Sequence, residues 1–398
     1  MKKEKSNSLR RLTATILSIS LLTVMAGAAM APALGVVRDH FSHVPELAVK
    51  LIVSMPALFI IITNLFFTRL CCLMRTRTLA LVGLLLYVGT GAGAFFATGI
   101  GTVLTFRALL GVSVGMIMPL STGLLSYYFP PEEQAHLMGL SAAMNQMGGV
   151  VATLLAGLLA GIGWNYAFLV YLIGLVAVVL VLLYLPNERL EAPASKSLGE
   201  RAKVLMRFHP SVVGMWLLMT IFFIFPTNFA ITARLTTSLS SQAVTAIMVG
   251  LDVVAFAVGL TFGSMMKCMA QMLKYVAPIG FALGYACYAW GGTVAWLIVG
   301  SVLIGVANGV GVPYLNTIAS IKAGRNAATT VMPLLSAALY LGQFTSPLIV
   351  SPLAQVLPVD SAAAPYVVGV AISAVMLVQV HLTRHHQSLP PNSTGHSA

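Results

Sequence analysis

Charge is what this chain has least of. Asp, Glu, Lys and Arg together make up 8% of its 398 residues, while hydrophobic residues make up 58%. No soluble domain of this length needs so much apolar surface, which leaves a polytopic membrane protein. Cysteine is nearly as scarce. Cys71, Cys72, Cys268 and Cys287 form no CxxC pair, which speaks against a zinc ribbon or a disulfide framework. The sequence also lacks a Walker loop, a GxSxG elbow, an HExxH pair and a dinucleotide fingerprint, so neither an ATP-driven pump nor a membrane enzyme is expected. The eight histidines sit in loops or tails apart from His381, without metal-ligand spacing, and neither a metal nor a cofactor is expected.

What is present is a succession of apolar runs. A helix crossing a hydrocarbon core of about 30 Å needs roughly 20 apolar residues. Twelve runs qualify, at about 12–37, 47–68, 78–98, 102–128, 137–162, 164–186, 211–233, 243–266, 275–292, 294–320, 328–355 and 362–383. Barrel strands would be short and alternating, so these runs predict helices. Leu12–Ala26 with the small residues after it has the look of a signal peptide. The apolar run continues to Val37, however, and removing it would leave eleven spans.

The net charge of +12 invites a nucleic-acid reading, but its distribution argues against one. With the N-terminus inside, eighteen of the 22 Lys and Arg residues fall in inside segments; Arg38, Lys50 and Arg234 fall outside, and Arg107 lies within a span. This is the positive-inside bias, and it predicts cytoplasmic termini in a bacterial inner membrane. The lipid bilayer is therefore the expected partner.

Residues 188–208 form the one long polar connection, and 196–208 suit a surface helix. It separates a six-helix bundle at 1–187 from another at 209–384, with a polar tail at 385–398. The halves echo each other. Gly111-x3-Gly115-x3-Pro119 recurs as Gly305-x3-Gly309-x3-Pro313, and Ser141-Ala142-Ala143 as Ser336-Ala337-Ala338, at offsets of 194 and 195. Parallel repeats of this kind are a transporter design.

Several motifs carry a family resemblance. Arg107-x3-Gly111-x3-Gly115 resembles the intramembrane arginine motif of the major facilitator superfamily. Gly139 and Gly148 in span five resemble its proton-coupled antiporter motif. Trp164-Asn165-Tyr166-Ala167-Phe168 and Leu341-Gly342-Gln343-Phe344-x2-Pro347 also have the family pattern. The resemblance covers the chain to about residue 383. It implies an all-α membrane fold of twelve helices in two pseudo-symmetric halves, closest to the drug and metabolite antiporter branch. The loop 68–77 keeps the basic residues of the family's signature but has Cys72 at the aspartate position and none of the glycines.

Two charged residues interrupt the apolar runs. Arg107 in span four is either a coupling or substrate residue, or a structural arginine satisfied by carbonyls. Asp252, near the middle of span eight, is the expected proton carrier, since burial favours a protonated carboxyl; the alternative is an inert, hydrogen-bonded group. Asn145, Gln146, Asn228, Asn308 and Gln343 are uncharged polar groups that line a cavity or bond between helices. Phe225, Tyr314 and Tyr340 are candidates for an adaptable apolar pocket, or for simple packing. Pro226 is expected to kink span seven, and Gly111, Gly115, Gly139, Gly148, Gly305 and Gly309 to allow close helix packing. The expected activity is proton-coupled efflux of hydrophobic or amphipathic molecules by alternating access. A symporter or facilitator importing a small organic anion anchored by Arg107 is the second reading, and a sensor or scaffold without transport the third.

Overall fold

The computed structural model describes residues 2–189, 198–237, 239–269 and 272–383. Among them every regular element is helical and none is a strand. The first compact unit comprises residues 1–194 with 239–246. It contains α1 (Lys2–Ala28), α2 (Leu34–His40), α3 (Glu46–Leu73), α4 (Thr76–Gly93), α5 (Ile100–Tyr128), α6 (Pro131–Ala160), a 3-10 helix at Tyr166–Ile173 and α7 (Gly174–Tyr184). The second unit comprises residues 195–238 with 247–398. It contains α8 (Leu198–Phe222), α9 (Ile224–Thr236), most of α10 (Ser241–Met269), α11 (Leu273–Trp290), α12 (Val294–Val356) and α13 (Ala364–Leu382).

Among the described residues, eleven stretches are long and apolar enough to cross a membrane. The remaining expected span is α11, whose eighteen residues include Lys274 and three tyrosines that dilute its hydropathy. Large side chains such as Leu65, Phe96, Leu260 and Leu283 are exposed, as a lipid-facing surface requires.

Three elements differ from the sequence reading. The run 12–37 is broken between α1 and α2 by a short turn at 29–33, where Pro32 lacks the N–H that a continuing helix would use. Helix α8 begins at Leu198 and runs directly into span seven, so the expected surface helix at 196–208 is not a separate element. Spans ten and eleven share one helical stretch, α12, of 63 residues. That stretch folds back on itself. Gly311 lies against Leu218, and Gly342 against Trp216 and Thr220, all on α8. A straight helix would hold residues 311 and 342 roughly 47 Å apart at about 1.5 Å per residue.

The duplication is built into the packing of each unit. Gly111 and Gly115 on α5 meet Pro56 and Ile60 of α3; Gly305 and Gly309 on α12 meet Leu251 and Ala255 of α10. Gly148 on α6 lies against the Leu21 carbonyl of α1, and Gly342 on α12 against the Trp216 carbonyl of α8. Each pair is related by 194 or 195 positions, so both units use glycine at the same helix crossings.

Candidate functional site

The largest fully buried side chain of the first unit is Arg107, with 1% of its surface exposed. Its Nε donates to Ile52 O at 2.6 Å, Nη2 to Ala26 O at 2.5 Å and Nη1 to the Tyr171 hydroxyl at 2.5 Å. The hydroxyl lies 3.2 Å from Ala26 O, completing a closed set. Both carbonyls are ones that helix geometry leaves over. Pro56 inside α3 has no N–H to offer Ile52, four residues back, and Ala26 is in the last turn of α1. A cation at a helix C-terminus also complements the helix dipole. Tyr87, edge-on to Tyr171 with ring centres 5.5 Å apart, donates to Leu22 O at 3.2 Å. Arg107 therefore ties α1, α3, α5 and the 3-10 helix together.

Helices α1 and α6 are joined by two polar rungs. The Ser20 and Ser141 hydroxyls are 2.7 Å apart, and Thr23 donates to Asn145 Oδ1 at 2.9 Å. Asn145 is half-buried and Gln146 exposed. A Cβ at Gly139 would meet nothing within 4 Å, so close packing does not account for that glycine, unlike Gly148.

The second unit solves the same positions without an arginine. At the repeat offset, Arg107 corresponds to Ser301 and Tyr171 to Tyr366. Ser301 Oγ is 2.5 Å from the Tyr288 hydroxyl, and the Tyr366 hydroxyl is 2.5 Å from Thr232 Oγ1. Phe225, expected to line a pocket, is 2% exposed and stacks on Phe229 with ring centres 4.9 Å apart, with Tyr288 edge-on to both. In this structure it belongs to a closed aromatic cluster.

Span seven breaks at Phe223, between α8 and α9. Pro226 removes the donor for Phe222 O, and the Tyr285 hydroxyl donates to Ile221 O at 2.6 Å with Phe222 O at 3.3 Å. Asn228, 1% exposed, donates through Nδ2 to Ile224 O at 2.8 Å. Its Oδ1, like Asn308 Oδ1 and Thr220 Oγ1, is buried without a hydrogen-bond partner among the described residues. Asp252 is half-buried and lies between Leu251 and Val254, the residues that meet Gly305, with Val253 as its other immediate neighbour. Its carboxyl thus belongs to the turn of α10 that crosses α12. Tyr314 lines a small cleft with Lys274 and Gln379, Tyr340 is half-buried, and Gln343 Nε2 lies 4.0 Å from Met219 Sδ. Arg107 and Asp252 fall in different units.

Residues 16–347 match the Major Facilitator Superfamily. The chain belongs to this superfamily. Its fold is similar to the crystal structure of a bacterial homologue of the human lysosomal transporter Spinster, inward-facing and unoccupied. That likeness has a TM-score of 0.71 at 14% identity and covers 98% of this chain and 100% of that one. The nucleoside transporter NupG gives 0.74 at 12% identity over 95% and 100% of the two chains. A D-xylose–proton symporter gives 0.69 at 16% identity over 92% and 97%. Two curated relatives match locally. Sialin of Ovis aries is 32% identical over 88 residues, 22% of this chain and 17% of its own length. Probable anion transporter 3, chloroplastic, of Arabidopsis thaliana is 41% identical over 70 residues, 17% of this chain and 14% of its own. The chain therefore spans less than a fifth of the length of either. As a major facilitator protein it is a multi-pass membrane protein.

The superfamily's signature loop, though altered in sequence, is still tied down. Thr76 donates through both its backbone N and its Oγ1 to Glu188 O, each at 2.9 Å, and Arg77 donates to Leu182 O in the last turn of α7. The sequence reading missed Tyr171, Thr23 and Tyr285. Pro226 is the signal that bears on Tyr285, because the proline frees the Phe222 carbonyl, which a buried side chain must then satisfy.

Proposed function

We propose that this chain is a proton-coupled secondary transporter of the bacterial inner membrane, with both termini cytoplasmic. It exports hydrophobic or amphipathic small molecules by alternating access and works as a monomer. The observation that carries the reading is the placement of the two intramembrane charges. Three of Arg107's donors are engaged by main-chain carbonyls and Tyr171. The half-buried Asp252 sits on the turn of α10 that meets a glycine crossing. A carboxyl at such a position is neutral when protonated and costly to bury when charged, which suits a proton carrier. The remaining cavity candidates, Asn145, Gln146, Asn228, Asn308, Tyr314, Tyr340 and Gln343, are neutral and suit substrates with a polar handle on an apolar body.

Import of a small organic anion is the second reading, supported by the local identity to the probable anion transporter. Everted, acid-loaded vesicles separate the two. A panel of amphipathic dyes and small carboxylates is added, and lumenal pH is followed. Release of lumenal protons on adding a dye, abolished by Asp252→Asn, supports export. Proton release that survives Asp252→Asn removes the coupling assignment. Movement of carboxylates alone favours the anion reading.

A further inference from the structure

Five of the chain's twenty methionines and four cysteines fall within eight residues: Met265, Met266, Cys268, Met269 and Met272. No step of the proposed transport uses them. Met265, Cys268 and Met269 stand at i, i+3 and i+4 in the last turns of α10, which puts their side chains side by side on one face. Helix α10 ends at Met269. Met272 N donates to Met269 O at 2.8 Å, which keeps Met272 beside the helix end. Cys268, Met269 and Met272 are exposed, and Thr261 Oγ1 donates to Met265 Sδ at 3.8 Å.

We propose that Met265, Cys268, Met269 and Met272 form a binding site for a soft monovalent cation, Cu(I) or its redox-silent counterpart Ag(I). Thioether and thiolate sulfurs select such ions over Zn(II) or Mg(II), which prefer imidazole and carboxylate. Among the described residues no three His, Cys, Asp or Glu side chains gather into a metal-ligand group. Lys267 lies between the sulfur residues, and Lys274 follows two residues after Met272. Positive charge of this kind opposes a divalent ion more than a monovalent one. Methionine's flexible side chain can follow the low coordination number of such an ion without a preformed cage. On binding, the Cys268 thiol gives its proton to solvent and coordinates as thiolate, so net charge at the site is conserved. The bound ion would fasten the end of α10 to the turn that starts α11.

The test is calorimetric titration of the purified full-length protein with Ag(I), in a Cys71→Ser/Cys72→Ser/Cys287→Ser background that leaves Cys268 as the sole cysteine. One equivalent of Ag(I) should bind, with release of a proton. Met265→Leu/Met269→Leu keeps the apolar contacts and removes two sulfurs, and should weaken binding by about tenfold or more. Cys268→Ser should weaken binding and abolish proton release, and stands as the second readout should the double variant fold poorly. Met147→Leu, at an exposed methionine on α6, should change nothing. The assignment is overturned if the background protein binds no Ag(I), or if the leucine and serine variants bind it as tightly as their parent.

Discussion

The Nε of Arg107 donates at 2.6 Å to Ile52 O, the carbonyl that Pro56 leaves without its helical partner. One residue that breaks a hydrogen-bond ladder and another that repairs it lie on neighbouring helices, α3 and α5. Arg107→Leu would leave Ile52 O, Ala26 O and the Tyr171 hydroxyl without their charged donor. Each buried neutral acceptor left unsatisfied costs about 1–3 kcal/mol. Arg107→Lys presents a point charge in place of a fork and should recover only part of this. Tyr171→Phe, which removes the hydroxyl's two hydrogen bonds, from Arg107 Nη1 and to Ala26 O, should lose about 1–2 kcal/mol. Thermal unfolding of detergent-purified protein orders the three variants. An Arg107→Leu protein that melts with wild type would return Arg107 to the role of substrate anchor.

Gly148 and Gly139 lie on the same helix and share the same motif resemblance, yet their surroundings differ. A methyl group at Gly148 would collide with Leu21 O, whereas one at Gly139 enters open space. Gly148→Ala should force α1 and α6 apart and lower both expression and melting temperature. Gly139→Ala should be neutral, or stabilising by the roughly 0.5–1 kcal/mol that alanine gains over glycine inside a helix. Equal behaviour of the two variants would contradict the crossing described above. At the repeat-related position, Gly342→Ala should behave like Gly148→Ala.

The fold was legible in the sequence because its determinants are periodic and local. Apolar run length sets each span, the Lys and Arg pattern orients them, and the glycine pairs mark crossings that recur at a fixed offset. The break between spans ten and eleven was legible, at 321–327, but not that its residues stay helical, because a helical fold-back leaves no turn residue that differs from an ordinary loop. The site was legible only as a set of residues that are costly to bury. Burial cost flags Arg107 and Asp252 equally. What distinguishes them is which carbonyls lie within reach, and that depends on Pro56 and on the end of α1, both distant in sequence from Arg107. Phe225 illustrates the same limit. An aromatic in a kinked span reads as pocket lining, but Phe229 and Tyr288 close around it.

Asn145 separates stability from recognition. Its Oδ1 accepts from Thr23, an interhelical bond of a kind worth about 0.6 kcal/mol in membrane proteins. Asn145→Ala should therefore barely change the melting temperature. Under the transport reading it should still remove or weaken the thermal shift given by whichever panel compound stabilises wild type. A large loss of stability with an unchanged ligand shift would make Asn145 a structural rung like Ser20 and Ser141.

Tyr285 stands to the break in span seven as Arg107 stands to Pro56, with a neutral hydroxyl in place of a guanidinium. Its hydroxyl is 2.6 Å from Ile221 O and 3.3 Å from Phe222 O, the carbonyl deprived by Pro226. Tyr285→Phe should cost about 1 kcal/mol, more if both carbonyls are left dry. In a Pro226→Ala background the alanine N–H can return to Phe222 O and straighten the helix, so the tyrosine has less to satisfy. The double-mutant cycle should therefore give a coupling of about 0.5 kcal/mol or more, with the loss from Tyr285→Phe smaller when Pro226 is absent. Strict additivity in unfolding measurements would mean that the hydroxyl serves Ile221 alone and that the proline break is held by packing.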